Sequence, residues 1–210
     1  MSAAEPTADV RLTTLAILAF GELTAVERAA ADAQSAPSVR DRVDLIGVAG
    51  VALGNYEALA ARTEALGGDI AVLLEDVEPS FTALRERTRP RDWYESLMKG
   101  YVFDGINRDF YRAALVNLDG TSERVATSVL DDTRQSDHLR RRLAQAISEH
   151  PELSSRLALW GRRLVGEALV RGRQLIERFD LAVDDEAVGA ISQRVMTNHS
   201  RRMAALDLVA

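Results

Sequence analysis

Apolar residues recur at steps of three and four positions along most of the chain, and this periodicity constrains the fold more than any other feature. Such spacing places apolar side chains on one face of an α-helix, and no convincing run of alternating β-branched residues predicts a strand. Prolines and glycines divide the pattern into helical segments: residues 10–32, 38–66, 92–119, 122–150, 152–179 and 185–206. A connector with short helical pieces occupies residues 69–89. The sequence therefore predicts an all-α protein, with four long helices followed by two additional C-terminal helices.

The length of 210 residues predicts one folding unit, because a chain of this size can bury one substantial core. We expect a single domain over residues 1–210, with a four-helix core bundle at about 10–150. The remaining helical residues, at about 151–208, form a C-terminal extension in this prediction.

Composition and the start of the chain narrow the classes of function. Cysteine is absent, which excludes disulfides, thiolate metal sites and cysteine nucleophiles. The net charge of −6 argues against nucleic acid or an anionic membrane as the main partner. The first ten residues lack the basic and apolar regions of a secretory signal. The longest apolar run, at 15–20, is far shorter than the ~20 residues that span a bilayer. We therefore predict a cytoplasmic protein.

Three acidic residues occupy positions where the helical pattern calls for apolar ones. Glu22, Asp104 and Asp132 each lie within the apolar stripe of a different predicted helix. Inward-facing carboxylates on separate helices are how a helical bundle holds a metal between its helices. The sequence contains no glycine-rich phosphate loop and no G-x-S-x-G motif, so this cluster is the candidate site.

Four stretches of sequence carry a resemblance to a known family: FGELTA at 20–25, DGI at 104–106 followed by DFY at 109–111, LALWGRRLVGEAL at 157–169 and RRMAAL at 201–206. These stretches resemble the actinobacterial ferritin-like proteins described as MiaE-like, after tRNA hydroxylases that act on an isopentenyl-modified adenosine. The resemblance spans nearly the whole chain. It implies a ferritin-like four-helix bundle that holds a di-iron centre for activating O₂.

The same resemblance implies a ligand pattern: a carboxylate on the first helix, Glu-x-x-His on the second, a carboxylate on the third and carboxylate-x-x-His on the fourth. The retained ligand positions would be Glu22, Asp104 and Asp132, and the substituted ones are Ala52, Asn55 and Gln135. Asp109 is a second candidate on the third helix, although the phase of the stripe favours Asp104. The chain keeps three carboxylates at these positions and has no imidazole there, so the di-iron site is degenerate in this correspondence.

The remaining donors favour a site without redox-active iron. Iron sites of this class use imidazole beside carboxylate, whereas an all-oxygen set suits Mg²⁺, Ca²⁺ or Mn²⁺. Without a metal, Asn55 and Gln135 could donate amide hydrogen bonds to Glu22 or Asp132, and Arg108 could pair with Asp104. We expect this metal-free arrangement and no cofactor. The alternatives are a di-iron centre or another divalent metal, with His138 as a conceivable replacement ligand.

We predict that the protein is a non-catalytic relative of the MiaE-like hydroxylases that acts as a binding, scaffold or regulatory subunit. A protein partner or a homodimer is expected, with the connector around Phe81 and the last two helices as candidate surfaces. The alternative is a metal-dependent hydroxylase that acts on modified tRNA or a small molecule. For tRNA, the arginines at 140–142, 162–163, 171, 173 and 201–202 could contact phosphates. No membrane partner is expected.

Overall fold

The computed structural model describes residues 8–181, 183 and 185–210, and this part of the chain is helical and contains no strand. Its helices are α1 (Ala8–Gln34), α2 (Val39–Ala65), α3 (Ile70–Val77), α4 (Thr82–Arg87), α5 (Trp93–Ala114), α6 (Gly120–Asp131), α7 (Arg134–Glu149), α8 (Leu153–Arg178) and α9 (Asp185–Ala204). Short 3₁₀ turns precede α4 and follow α5. The prediction of an all-α fold is confirmed. Residues 1–7, which enter the prediction that no secretory signal is present, lie outside the described part.

The ends of the long helices lie where the local chemistry predicts them. The Ser38 hydroxyl accepts a 3.0 Å hydrogen bond from the Asp41 amide and caps the start of α2. The Asp92 carboxylate accepts a 2.9 Å bond from the Glu95 amide at the start of α5. Beyond the end of α2, Gly67 has a φ of 82°, a left-handed conformation that favours glycine.

The bundle is built around antiparallel neighbours of α1. A short loop turns the chain from α1 into α2, so these two helices form a hairpin. Along α5, Trp93 Nε1 donates a 3.1 Å bond to the Asp32 carbonyl, and Tyr111 Oη donates a 3.2 Å bond to the Ile17 carbonyl. The chain order of these contacts is opposite in α1 and α5, which shows that the two helices run antiparallel.

Two groups of buried residues form most of the core. The larger group joins α5, α7, α8 and α9 and includes Leu97, Leu143, Leu157, Leu164 and Val195. The second joins α1 to α2, α3 and α6 and includes Leu15, Leu18, Leu59, Val77 and Leu130. Helix α8 therefore supplies core residues to the bundle and covers one side of α5.

The fourth predicted helix, at 122–150, is wrong as a single element, since the structure divides it into α6 and α7 around Asp132 and Thr133. Arg108 from α5 explains the break. Its guanidinium donates a 2.5 Å hydrogen bond to the Leu130 carbonyl and a second bond to the Asp132 carbonyl. Carbonyls that a continuous helix would bond internally are thus satisfied by a side chain from another helix.

Helix α2 is the one helix in the described part of the chain that is long and apolar enough to cross a membrane. Its most apolar 18-residue window has a mean hydropathy of 1.3, and 39% of that window is buried inside the protein. Core helices pass the same test, so length and composition alone are weak evidence. The unburied part of α2 forms an apolar outer face.

Candidate functional site

Glu22 lies on α1 at the centre of the predicted site, and two amide groups bind its carboxylate. Asn55 Nδ2 from α2 donates a 3.3 Å hydrogen bond to Glu22 Oε2, and Gln135 Nε2 from α7 donates a 3.0 Å bond to the same oxygen. Both amide residues are buried. The sequence predicted that these two residues would donate to a carboxylate, and the structure shows those bonds on Glu22.

Asp104 lies on α5 beside Glu22 and pairs with Arg108 as the sequence predicted. Arg108 Nε is 3.1 Å from Asp104 Oδ2, and Nη2 is 3.3 Å from Oδ1, so the contact is bidentate. Both side chains are mostly buried, with exposed fractions of 15% for Arg108 and 9% for Asp104. The guanidinium therefore neutralises one carboxylate of the pair while it also binds the end of α6.

Asp132 does not join the other two carboxylates. Its side chain accepts a 2.9 Å hydrogen bond from Arg134 Nε and a 3.1 Å bond from the Arg134 amide at the start of α7. These hydrogen bonds with Arg134 hold the pKa of Asp132 below its usual range. Asp132 lines a cleft between α2 and α6, whereas Glu22 and Asp104 line a separate space between α1 and α5. The expectation that it faces inward with them is wrong, because the helix ends there and its carboxylate caps the next one.

The substituted positions differ in what they contribute. Ala52 has no exposed surface and offers only a methyl group, so it cannot bind a metal. His138 is half-buried, and burial lowers its pKa. The charges of Asp44 and Asp41 on α2 oppose this change and raise the pKa. It makes no contact with Glu22, so the structure gives no support for His138 as a replacement ligand.

Burial is the main influence on the protonation of Glu22. The pKa of Glu22 is raised from 4.5 to about 7, first by burial and then by the charge of the neighbouring Asp104 carboxylate. The hydrogen bonds from Asn55 and Gln135 and the charge of Arg108 oppose this rise. With no metal bound, Glu22 is therefore partly protonated near neutral pH.

The residues at this site do not fit a di-iron centre. In the described part of the chain, no three His, Asp or Glu side chains come together in a way that could hold a metal ion. One of the two Glu22 carboxylate oxygens already accepts two N–H groups. The other carboxylate, Asp104, is bound by a guanidinium. A redox iron pair needs imidazole and several ionised carboxylates, and this donor set supplies neither.

Comparison with known proteins settles the family. A family model described as a ferritin-like domain of actinomycetes matches residues 8–184. The chain belongs to this family. None of the curated proteins compared with the chain matches it. The match establishes the ferritin-like fold for this chain; the relation to MiaE-type hydroxylases and the loss of a di-iron site go beyond it.

This ferritin-like chain has a second feature that the sequence did not reveal, an apolar cleft between α1, α5, α8 and the connector that contains α4. It runs along α1 from Thr14 to Arg28 and along α5 from Lys99 to Ala114. The connector residue Phe81 lines it and contacts Phe20, with ring centroids 4.8 Å apart. Phe81 is thus packed against α1 while it stays partly exposed, and the connector around it remains a predicted partner surface.

Four cations line this cleft: Arg28, Arg85, Lys99 and Arg171. Among the described residues, no Asp or Glu lines it. The sequence signal was weak, because Arg28 and Lys99 lie beside the apolar stripes of their helices, where charged residues commonly point to solvent. The one sequence feature that indicated these cations was a charged residue directly beside a residue of the apolar stripe, as Lys99 is beside Gly100.

Proposed function

We propose that the protein is a metal-independent relative of the MiaE-type tRNA hydroxylases that has lost most di-iron ligands and acts through binding. The observation that carries this proposal is the pair of amide hydrogen bonds from Asn55 and Gln135 to one oxygen of Glu22. Two protein N–H groups therefore occupy the lone pairs of that oxygen, which leaves Glu22 with one oxygen that makes no hydrogen bond within the described part of the chain. The proposed role is that of a non-catalytic binding, scaffold or regulatory subunit in the cytoplasm.

The direction of the Glu22 pKa supports this role. Iron ligation would replace protons on carboxylates, and its affinity would fall where a ligand is protonated at neutral pH. A buried glutamate with a pKa of about 7 instead forms part of a neutral hydrogen-bonded core. The two amide donors and the Asp104–Arg108 pair then supply the polar partners that a buried network requires.

Metal analysis tests the proposal directly. Protein purified after growth in iron-supplemented medium is analysed for iron, manganese and zinc by mass spectrometry, and by absorption for an oxo-to-iron band. We expect well under one metal atom per chain and no such band. About two iron atoms per chain with that band would show that the site retains redox chemistry and would overturn the proposal.

A matched variant makes a negative result informative. Restoring the family's ligands with Ala52→Glu, Asn55→His and Gln135→His in one chain supplies the missing carboxylate and two imidazoles. We expect this variant to take up more iron than the natural chain under the same growth conditions. Equal iron contents in the two proteins, at a high level, would contradict the inference that these substitutions removed the site.

The outer face of α2 supports a second copy of the chain as the partner. Exposed positions between Val43 and Glu57 carry no charged residue: Ile46, Gly47, Gly50, Leu53 and Gly54. No atom lies within 4 Å of a Cβ built on any of these three glycines, so another helix can approach the backbone closely.

The charges at the two ends of that face are self-complementary. The exposed Arg42 lies near the start of α2, and the exposed Glu57 and Glu64 lie near its end. Arg62, which lies between these two glutamates in the sequence, is only partly exposed. An antiparallel two-fold pairing about Gly50 would bring Arg42 of one protomer close to Glu57 of its partner. We propose a homodimer through this face.

A tRNA partner receives less support from the arginine clusters. Arg142 binds Asp41 at 2.5 Å, and Arg202 binds Asp109 at 2.6 Å. Arg163 donates to the Arg87 carbonyl at 2.7 Å. Guanidinium groups already engaged within the protein are poorly placed to neutralise phosphates.

A further inference from the structure

The cleft between α1, α5 and α8 is long and narrow. The stretch of α1 that lines the cleft runs from Thr14 to Arg28, which is ~21 Å at 1.5 Å per residue. The empty space inside has a cavity volume of about 120 Å³. A long space of small volume suits a flexible chain better than a ring system.

The walls of the cleft are apolar over most of this length. Ile17 and Leu18 of α1, Phe103 and Phe110 of α5, and Leu175 of α8 line it. Its far end lies at Thr14 and Ala114, where small side chains leave room. Burial of a hydrocarbon chain against such walls is favourable by about 25 cal/mol per Å² of apolar surface.

Two cations meet at the other end. Lys99 precedes Gly100 on α5, and a Cβ at Gly100 would lie 3.1 Å from Arg28 Nε, so the missing side chain makes room for the guanidinium. The Lys99 ammonium also lies 5.6 Å from the centre of the Phe103 ring. Arg28 and Lys99 are therefore neighbours at one level of the bundle.

Neither of these cations has an anionic partner within ion-pair distance among the described residues, and neither forms a hydrogen bond with them. Burial lowers the pKa of both, to about 8 for Lys99. Arg85, at the rim, is bound to Glu78 at 2.9 Å, so it is partly neutralised. Both cations are only partly buried, and two like charges at this spacing favour an anion between them.

The acids within electrostatic range do not fill this need. Arg28 is influenced by Asp32, Asp104 and Glu22. Asp104 is already bound by Arg108, and neither Glu22 nor Asp32 lines the cleft. The head of the cleft therefore keeps a net positive charge.

We infer that this cleft binds a single-chain fatty carboxylate, with its head group between Arg28 and Lys99 and its tail along α1 and α5 toward Thr14 and Ala114. Arg28 supplies a planar fork that matches a carboxylate, and Lys99 supplies a second donor. A cavity of about 120 Å³ is too small for two chains, which favours a free fatty acid over a two-chain lipid. This inference deepens the proposed binding function by naming a ligand class.

Calorimetric titration with dodecanoate, below its micellar concentration, tests the inference on the full chain. Dodecanol and dodecyltrimethylammonium have the same tail with a neutral or a cationic head group. We expect dodecanoate to bind at least tenfold more tightly than either. Equal affinities for the three, or no dodecanoate binding, would overturn the inference without any variant having to fold.

Variants separate the head group from the tail. Lys99→Met removes the head-group donor, and Ala114→Phe fills the tail end; each should weaken dodecanoate binding at least tenfold. Arg89→Met removes an exposed cation outside the cleft, and Val116→Phe enlarges an exposed residue near Ala114, so both should bind within twofold of the natural chain. If dodecanoate binding is unchanged in Lys99→Met and Ala114→Phe, the ligand lies elsewhere and the inference fails.

Lys99 also provides a chemical readout, because it is the only lysine in the chain. Acetylation by an amine-reactive ester, followed by mass spectrometry of the peptide that contains residue 99, reports the access to its amine. Dodecanoate should slow this acetylation, and dodecyltrimethylammonium should not. Unprotected Lys99 at saturating dodecanoate would contradict the placement of the head group.

The failure of this inference can be told apart from the failure of the proposed function. High iron content with intact dodecanoate binding would remove only the metal-independent function. Absent dodecanoate binding in a metal-free protein would remove only this inference.

Discussion

Gln135 Nε2 donates a 3.0 Å hydrogen bond to Glu22 Oε2 and so joins α7 to α1 across 113 positions of sequence. Because Asn55 donates to the same oxygen, the other oxygen is left to carry the proton when Glu22 is neutral. The carboxyl group at the centre of this ferritin-like bundle is thereby held in a network made of protein groups, and its protonation becomes a determinant of stability.

Glu22→Gln should change how stability depends on pH. The pKa of Glu22 rises from 4.5 to about 7 on folding, so its contribution is fully present below pH 4.5 and is lost as pH rises to about 7. The variant keeps an acceptor oxygen but does not titrate, so above pH 7 its free energy of unfolding should exceed that of the natural chain by up to about 3 kcal/mol. Urea unfolding at pH 5 and pH 8 measures the difference. Glu27→Gln, at an exposed position of the same helix, serves as the control and should leave the pH dependence unchanged.

His199 should act in the opposite direction. It is buried in α9 with 1% of its surface exposed, and neither ring nitrogen has a hydrogen-bond partner among the described residues. Its pKa is lowered from 6.5 to about 4, first by burial and then by the charge of Arg202. Protonation therefore favours the unfolded chain, so this contribution is present above pH 6.5 and is lost as pH falls to about 4.

The two windows overlap, which makes His199→Leu informative. In the natural chain the Glu22 and His199 contributions partly cancel between pH 4.5 and 6.5. Without the histidine, the free energy of unfolding should fall with rising pH throughout pH 4.5 to 7. His150→Gln, at an exposed position, is the matched control. A His199→Leu protein that still loses stability on acidification from pH 6.5 would show that another group is responsible.

The sequence predicted most of the fold because its determinants are local. Ser38, Asp92 and Gly67 define helix ends through their own backbone and side-chain chemistry. The partners of Glu22 were also predictable, since helical phase places Asn55 on an inward face and the resemblance to the ferritin-like family points to Gln135. The break at Asp132 was missed because Arg108, from a different helix, stabilises it. The run Asp131-Asp132-Thr133 was a usable signal, as these residues favour helix caps over helix interiors.

The apolar cleft could not be predicted from the sequence. Its walls come from α1, α5, α8 and the connector, and no helical pattern specifies how these elements pack together.

Arg108→Leu should be strongly destabilising, because one side chain performs two tasks. It neutralises the nearly buried Asp104 and donates to two carbonyls at the end of α6. Its loss leaves an unpaired buried carboxylate, which costs about 3–5 kcal/mol in comparable cases. Urea unfolding measures this cost, and hydrogen exchange should show faster exchange in residues 126–137. The control is Arg112→Leu, on the same helix one turn later. Its side chain is 43% exposed and binds the exposed Asp131; it also reaches the Leu130 carbonyl, at 3.4 Å, but has no bond to Asp104. Similar losses in the two variants would contradict the special role of Arg108.

Leu53→Glu should dissociate the proposed homodimer. Leu53 is 43% exposed at the middle of the apolar face of α2, and an antiparallel pairing about Gly50 places it near Ile46 of the partner protomer. A carboxylate there would be buried without a cation, and each 1.4 kcal/mol of that penalty weakens association about tenfold. Sedimentation velocity over a range of concentrations should show a dimer for the natural chain and a monomer for the variant. Val170→Glu places the same charge on α8, at a residue that is 51% exposed and remote from this face, and should leave the dimer intact. A natural chain that sediments as a monomer at all concentrations, or a Leu53→Glu protein that remains dimeric, would remove α2 as the interface.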